Sequence, residues 1–211
     1  MAVSSETEIC NLALSHLGES PIASLEDNTA ASRACAQHYE LARDEVLRSH
    51  RWNFAQGRRV LSRLAEAPEF RWAHKYQLPE DCLRVLEVND SEIGDWISDE
   101  YVIEGRELLT DADTVNLVYT KQITDVSLFD SLFVKALGYK LGVALSEIIR
   151  GTTTKTVELA EMYESLIAPL ARRTDANEGK RRKGILPMNS LALRARNGYG
   201  SASADPANLG Y

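Results

Sequence analysis

Leu47-Arg48-Ser49-His50-Arg51-Trp52-Asn53-Phe54-Ala55 divides the chain into two kinds of pattern. Before it the apolar residues follow the helical period; after it, as far as Lys121, they follow the short alternation of strands and turns. Trp52 and Phe54 flank Asn53, directly after four polar residues. In extended chain this spacing points both rings the same way. Trp52, Asn53 and Phe54 therefore read as a structural joint, where the chain leaves a helix and anchors the next segment to the core. Truncating either ring is expected to cost about 3–5 kcal/mol if it is fully buried.

Upstream of the joint two helices are expected. The first spans 5–18, with Ser4 or Ser5 as cap, Glu8 completing a capping box, Ile9, Leu12, Ala13 and Leu17 on one face, and Gly18 as the stop. Ser20-Pro21-Ile22 forces an extended turn. The second helix runs from about Thr29 to His50, with Asn28 or Thr29 as cap. Ala31, Cys35, Tyr39, Ala42 and Val46 form its stripe, and Arg33, Glu40, Arg43 and Asp44 its polar face. Small residues at 30, 31, 34, 35 and 36 suit the close approach of another helix.

Downstream, Trp72, His74, Tyr76 and Leu78 alternate with polar partners as a strand. Pro79-Glu80-Asp81 reads as a turn, and Cys82 to Val88 as the next strand. Ile93 to Asp99 has no clear pattern. Glu104-Gly105-Arg106-Glu107 between Tyr101-Val102-Ile103 and Leu108-Leu109 is a hairpin signal. Val115, Leu117 and Tyr119 alternate again. An antiparallel meander of about four to six strands is expected here. Helix resumes at about Ser127 and runs to Arg150-Gly151, with a wide apolar face that includes Leu128, Leu141 and Ile148. A last helix starts near 152–156, with a buried stripe of Val157, Ala160, Tyr163, Leu166, Ile167 and Leu170. A kink or an early end is expected at Pro169.

The expected class is α+β: a four-helix bundle of two N-terminal and two C-terminal helices, with a small antiparallel β meander or barrel inserted between them. Residues 1–55 would be the N-terminal helix pair, 56–125 the β region, 126–179 the C-terminal helix pair and 180–211 an extended basic tail. The net charge of −7 is uneven. Lys180, Arg181, Arg182, Lys183, Arg194 and Arg196 against Asp205 give the tail +5, leaving −12 for the rest. Residues 184–211 have the composition of a segment that is disordered alone and ordered by a partner. The basic run has no interleaved aromatics, so sequence-specific nucleic-acid binding is not expected.

The search for chemistry returns little. His16, His38, His50 and His74 lack metal-ligand spacing with Cys or carboxylates, and no metal or cofactor is expected. Gly151-Thr152-Thr153-Thr154-Lys155-Thr156 is reminiscent of a phosphate loop. It lacks the first glycine and the Gly-Lys-Ser/Thr ending, and it follows a helix instead of a strand. Glu80 and Asp81 fit a turn better than an acid/base pair. Cys10, Cys35 and Cys82 are odd in number and irregular in spacing, which points to free thiols in a reducing compartment. The N-terminal residues show no basic region followed by an apolar run, so no signal peptide is expected. No apolar stretch approaches the length of a membrane span.

Several stretches, in order over roughly residues 6–179, resemble the head-to-tail adaptor family of short-tailed bacteriophages, also called tail tubular protein A or the head-completion adaptor. They are Ile9-Cys10-Asn11-Leu12-Ala13-Leu14 with Leu17-Gly18 and Pro21-Ile22-Ala23-Ser24-Leu25; Ala34-Cys35 and Tyr39 leading to Leu47 and Trp52-Asn53-Phe54-Ala55; Arg59 and Leu61; Tyr76-Gln77-Leu78-Pro79-Glu80-Asp81-Cys82-Leu83-Arg84-Val85; Tyr119 with Thr124-Asp125; and Asp175-Ala176-Asn177-Glu178-Gly179. The most specific part is Trp-Asn-Phe-Ala followed by Tyr-Gln-Leu-Pro-x-Asp-Cys-Leu-Arg. The tail from Gly184 has no counterpart.

The resemblance implies a non-enzymatic virion protein at the head-tail junction, assembled in the host cytoplasm. Its homo-oligomeric ring, twelve-membered in the family, would sit under the portal protein and extend the channel toward the tail nozzle (tail tubular protein B-like) protein. DNA would pass through without sequence-specific binding. The C-terminal extension would reach onto the portal. Ile185, Leu186, Met188, Leu191, Leu193, Tyr199 and Tyr211 would serve as anchors, and Arg181, Arg182, Lys183, Arg194 and Arg196 would supply charge. The alternative is a virion-associated cell-wall hydrolase, which needs two carboxylates converging in a cleft. A small regulator that binds an acidic partner without forming a ring is a third reading.

Overall fold

Ser5 opens the first helix as expected: its side chain accepts from the Glu8 N–H, and α1 runs Glu6–Leu17 to Gly18 at φ +69. This computed structural model describes residues 5–89, 91–92, 101–151 and 153–178. Asn11 clamps the turn that follows. Its amide donates to the Ile22 carbonyl at 3.0 Å and accepts from the Ile22 N–H at 2.8 Å. That bidentate bond holds the chain after Pro21 against α1 and seats Ile22 in the helical core. Thr29 caps α2, Ala30–Ser49. The expected stripe of α2 is inside, but Arg43 is not on a polar face: it is 3% exposed. Its Nε donates to Asp44 at 2.9 Å, and Asp44 in turn accepts from Gln122 at 2.7 Å. A buried guanidinium needs such a partner, and Asp44 supplies it.

A 3₁₀ turn, Asn53–Ala55, leads into β1, Gln56–Val60. The other strands are β2 His74–Gln77, β3 Cys82–Val88, β4 Ser91–Glu92, β5 Tyr101–Glu104, β6 Glu107–Thr110 and β7 Asn116–Lys121. They are antiparallel but do not pair in sequence order. One sheet has the order β1-β7-β3-β4, the other β2-β6-β5. The last strand thus returns between β1 and β3, which a meander does not do. Strand alternation reveals which face is buried, not which strand is the neighbour.

The chain passes from one sheet to the other after β1. The Leu61 N–H donates to Val115 and the Leu64 N–H to Lys75, with Arg63 opposite Tyr76. Leu61, Tyr76, Leu78, Val85, Leu108, Leu117 and Tyr119 pack in one cluster between these strands. The expected strand through Trp72 begins only at His74: Arg71 has φ +73 and Phe70 is 80% exposed. The hairpin at 104–107 forms, with Gly105 at φ +60 in the first central position, where a type II′ turn takes glycine. Ile93 to Asp99 lies outside the described residues.

Gly57 faces Tyr119 directly across the β1–β7 ladder. A Cβ at Gly57 would stand 2.6 Å from the Tyr119 ring. The ring has little freedom to move, because its hydroxyl donates to Asp81 at 3.1 Å. Gly57→Ala should therefore lower stability by about 1–3 kcal/mol, read as a lower midpoint in thermal or urea unfolding. An unchanged midpoint would show that the ring can shift freely.

Helix does not resume at Ser127. Val126–Leu128 is a 3₁₀ turn, and Asp130 caps α3, Ser131–Arg150, by accepting from the Leu132 and Phe133 N–H groups. Leu128 and Ile148, expected on the apolar face, are exposed. α3 packs against α1, α2 and α4. Gly138 and Gly142 lie on its face toward α1, where a Cβ at Gly138 would meet Leu12 at 2.7 Å.

α4, Thr153–Met162, runs through a π turn, Tyr163–Ile167, into α5, Ala168–Glu178. The buried positions are Leu159, Tyr163, Ile167, Ala168, Ala171 and Asp175. Val157, Leu166 and Leu170, expected inside, are exposed. In an α-helix, rows of every fourth residue drift by about 40° per step. The wider π turn, with the Ala168 N–H bonded to Tyr163, cancels much of that drift and keeps one row facing α3. Pro169 does not end the helix, because it falls at the start of α5, just after the π turn. The protein is α+β: helices from both ends of the described chain share one core with Ile123 and Val126, and the strands build two small antiparallel sheets.

Candidate functional site

The joint at Trp52-Asn53-Phe54 is built on a 3₁₀ turn and not on extended chain. The two rings still lie on one side, 6.1 Å apart, because both pack on Phe133 of α3, at 5.2 and 5.0 Å between centroids. Phe129 completes the cluster at 4.8 Å from Phe133. Trp52 is 1% exposed, and its indole N–H donates to the Val46 carbonyl at 2.8 Å. That bond satisfies the buried donor with a carbonyl from the last turn of α2, so the ring ties the end of α2 to the start of α3.

Asp175 completes the joint from α5. Only 6% exposed, it accepts from the Asn53 backbone N–H at 2.9 Å and lies 3.1 Å from His50 Nε2. The Asn53 side-chain amide donates to the Asp175 carbonyl. Sequence reasoning did not single out Asp175 as a site residue. The available signal was a carboxylate four positions after Ala171 on a row of buried residues, which demands a partner. Arg48 and Arg84 then lace α2 to β3: Arg48 donates to the Leu83 carbonyl at 2.7 Å, and Arg84 to the Arg48 carbonyl at 3.4 Å.

The Pro79-Glu80-Asp81 segment is the expected turn. The Cys82 N–H closes it onto Pro79, and the Gln122 N–H donates to the Asp81 carbonyl. The Asp81 carboxylate takes the Tyr119 hydroxyl at 3.1 Å and lies 3.7 Å from Lys121. Burial first, and the Asp81 charge second, push the Tyr119 phenol above its usual range. Cys10 and Cys35 are buried and free, and Cys82 is free. The neighbouring Cys35 thiol, together with burial, holds the Cys10 thiol far above the usual thiol range. Gly151 closes α3 in the left-handed region at φ +60, with its N–H donating to the Glu147 carbonyl.

His16 lies between helices. It stacks on Tyr139 at 4.1 Å, and its Nε2 is buried without a partner among the described residues. Burial first, then the charges of Lys135 and Lys155, lower its pKa from 6.5. The folded state therefore favours neutral His16. Its stabilising effect is complete above pH 6.5 and is lost as pH falls through the depressed folded value. Urea midpoints should drop below about pH 6.5, and His16→Gln should flatten that part of the profile. An unchanged slope in the variant would assign the loss to other groups.

Among the described residues no cluster of three or more His, Cys, Asp or Glu could hold a metal, and no helix is long and apolar enough to cross a membrane. The expected portal-binding positions, from Arg181 to Tyr211, lie outside the described residues. What the described groups do is hold joints: Asp175 and Asp81 each accept from chain segments distant in sequence. No protein-family model matches this chain, and no curated protein matches it.

Proposed function

We propose that this chain is a structural head-to-tail adaptor of a short-tailed phage virion. It would form a ring under the portal protein that joins capsid to tail nozzle and lines the DNA channel for genome retention and ejection. One observation carries the reading: the separated stretches that resemble the family are one another's partners in the fold. Asn11 binds Ile22, Asn53 binds Asp175, and Asp81 binds Tyr119. Residues that share a resemblance because they hold a framework together should meet in this way.

In this reading the helices form a four-helix bundle, and the two small sheets are inserted between its N-terminal and C-terminal helix pairs. The basic tail, 180–211, is the arm that grips the portal, with Ile185, Leu186, Met188, Leu191 and Leu193 as its apolar contacts. Purified chain mixed with the cognate portal protein should co-migrate with it as a ring-bearing complex in size-exclusion chromatography with light scattering. Deleting 184–211 should weaken that binding by at least about 100-fold. Unchanged affinity would remove the tail from the interface. No co-migration of the intact chain would reject the adaptor function.

A further inference from the structure

Two exposed patches on different elements have complementary character. The first lies on β1 and the loop after it. β1 is the outer strand of its sheet, and along it Arg58 and Val60 alternate with Arg59. Arg63 follows, and the bridge from Arg63 to Tyr76 closes the loop that carries Phe70 and Arg71. All six residues are exposed, Val60 at 63%. Among the described residues none of the four guanidinium groups has an ion pair or hydrogen bond; Arg71 lies over the Trp72 ring at 5.6 Å. Residues 47–65 hold five arginines and no carboxylate, in a chain with 31 acidic residues.

The second patch is the outer face of α4, the π turn and α5. Met162, Leu166 and Leu170 repeat every fourth residue, each one position before the buried row of Tyr163, Ile167 and Ala171. The π turn that aligns the buried row aligns this one too, as an apolar ridge with Leu166 54% exposed. Val157, Glu158 and Glu161 continue the ridge toward the start of α4. Glu158 also meets Lys155 at 3.0 Å, an exposed pair that costs little to break.

Six of the ten exposed large hydrophobic side chains among the described residues fall in these two patches, so apolar exposure here is concentrated and not scattered. Arginine beside exposed aromatic and aliphatic side chains is the composition of a protein interface. An aliphatic side chain such as Val60 gains nothing against phosphate, which favours a protein partner. A cyclic assembly needs two different, mutually complementary patches on each subunit. We propose, resting on the ring reading above, that the basic β1–loop patch of one subunit docks on the α4 end of the ridge of the next copy, where Glu158 and Glu161 edge Val157 and Met162, and that this is the contact that closes the ring.

The test is sedimentation velocity of the full chain at rising concentration, alone and with portal protein. Arg58→Glu with Arg59→Glu, and separately Glu158→Lys with Glu161→Lys, should each weaken self-association by about 100-fold. The two variants mixed should associate again, because each then offers the charge the other lacks, in alternation. All the replaced residues are exposed, so unfolding midpoints should stay unchanged. Leu166→Asp should abolish association without charge rescue. Oligomers indifferent to these variants, or a wild-type chain that stays monomeric with and without portal, would overturn the proposal. So would arginine variants that lose duplex DNA binding while still self-associating, which would assign the patch to nucleic acid. Failure of portal co-migration with charge-swap rescue intact would reject the adaptor function and leave this interface standing.

Discussion

Replacing Trp52 with alanine should lower the stability of the protein by about 3–5 kcal/mol, read as a shift of the urea midpoint at constant slope. The loss has three sources. The indole is almost wholly buried, so its removal opens a cavity between α2 and α3. Its N–H no longer satisfies the Val46 carbonyl at the end of α2. Phe133 and His50 lose their edge-on partner. A domain of ordinary stability has about 5–15 kcal/mol in total, so the proposed ring assembly should fall with folding. Trp52→Phe keeps much of the volume and loses the donor, and should cost about 1–3 kcal/mol. A Trp52→Ala protein with an unchanged midpoint would mean that the joint does not organise the core.

Asp175→Ala should cost about 2–4 kcal/mol. Its carboxylate accepts the Asn53 N–H at the start of the 3₁₀ turn, and truncation leaves that donor without this acceptor. Asp175→Asn separates the two roles of the group. The amide oxygen can still accept from Asn53, while the charge facing His50 is gone, so the cost should fall to about 1 kcal/mol. Equal losses in the two variants would mean that the charge, and not the acceptor, matters. Both changes should act on folding and leave the charge-swap behaviour of the exposed patches untouched.

Local features were legible in the sequence. Ser5, Thr29 and Gly18 cap their helices as the residue types demand, and Gly105 turns its hairpin as expected. The signal for each lies within four or five residues, where side-chain reach and backbone φ decide the outcome. The buried face of the last helix is not legible in the sequence because the helical period changes within it. A π turn is invisible to a search that assumes about 100° per residue, so Leu166 and Leu170 were expected inside and stand outside. The burial of Arg43 is not legible either, because a charge is buried only when a partner such as Asp44 is in place, and that pairing depends on the fold around it.

By itself the sequence determined the α+β class, the order of helix and strand along the chain, and Trp52-Asn53-Phe54 as the junction between them. Burial periodicity and cap chemistry are local, and they survive without knowledge of neighbours. Only the tertiary structure decided that β7 inserts between β1 and β3, that the joint is a 3₁₀ turn and not extended chain, and that Asp175 reaches across from α5 to hold it. Those outcomes depend on which distant groups satisfy a buried N–H or fill the space beside a ring. A linear pattern carries the demand for a partner but not the partner's address.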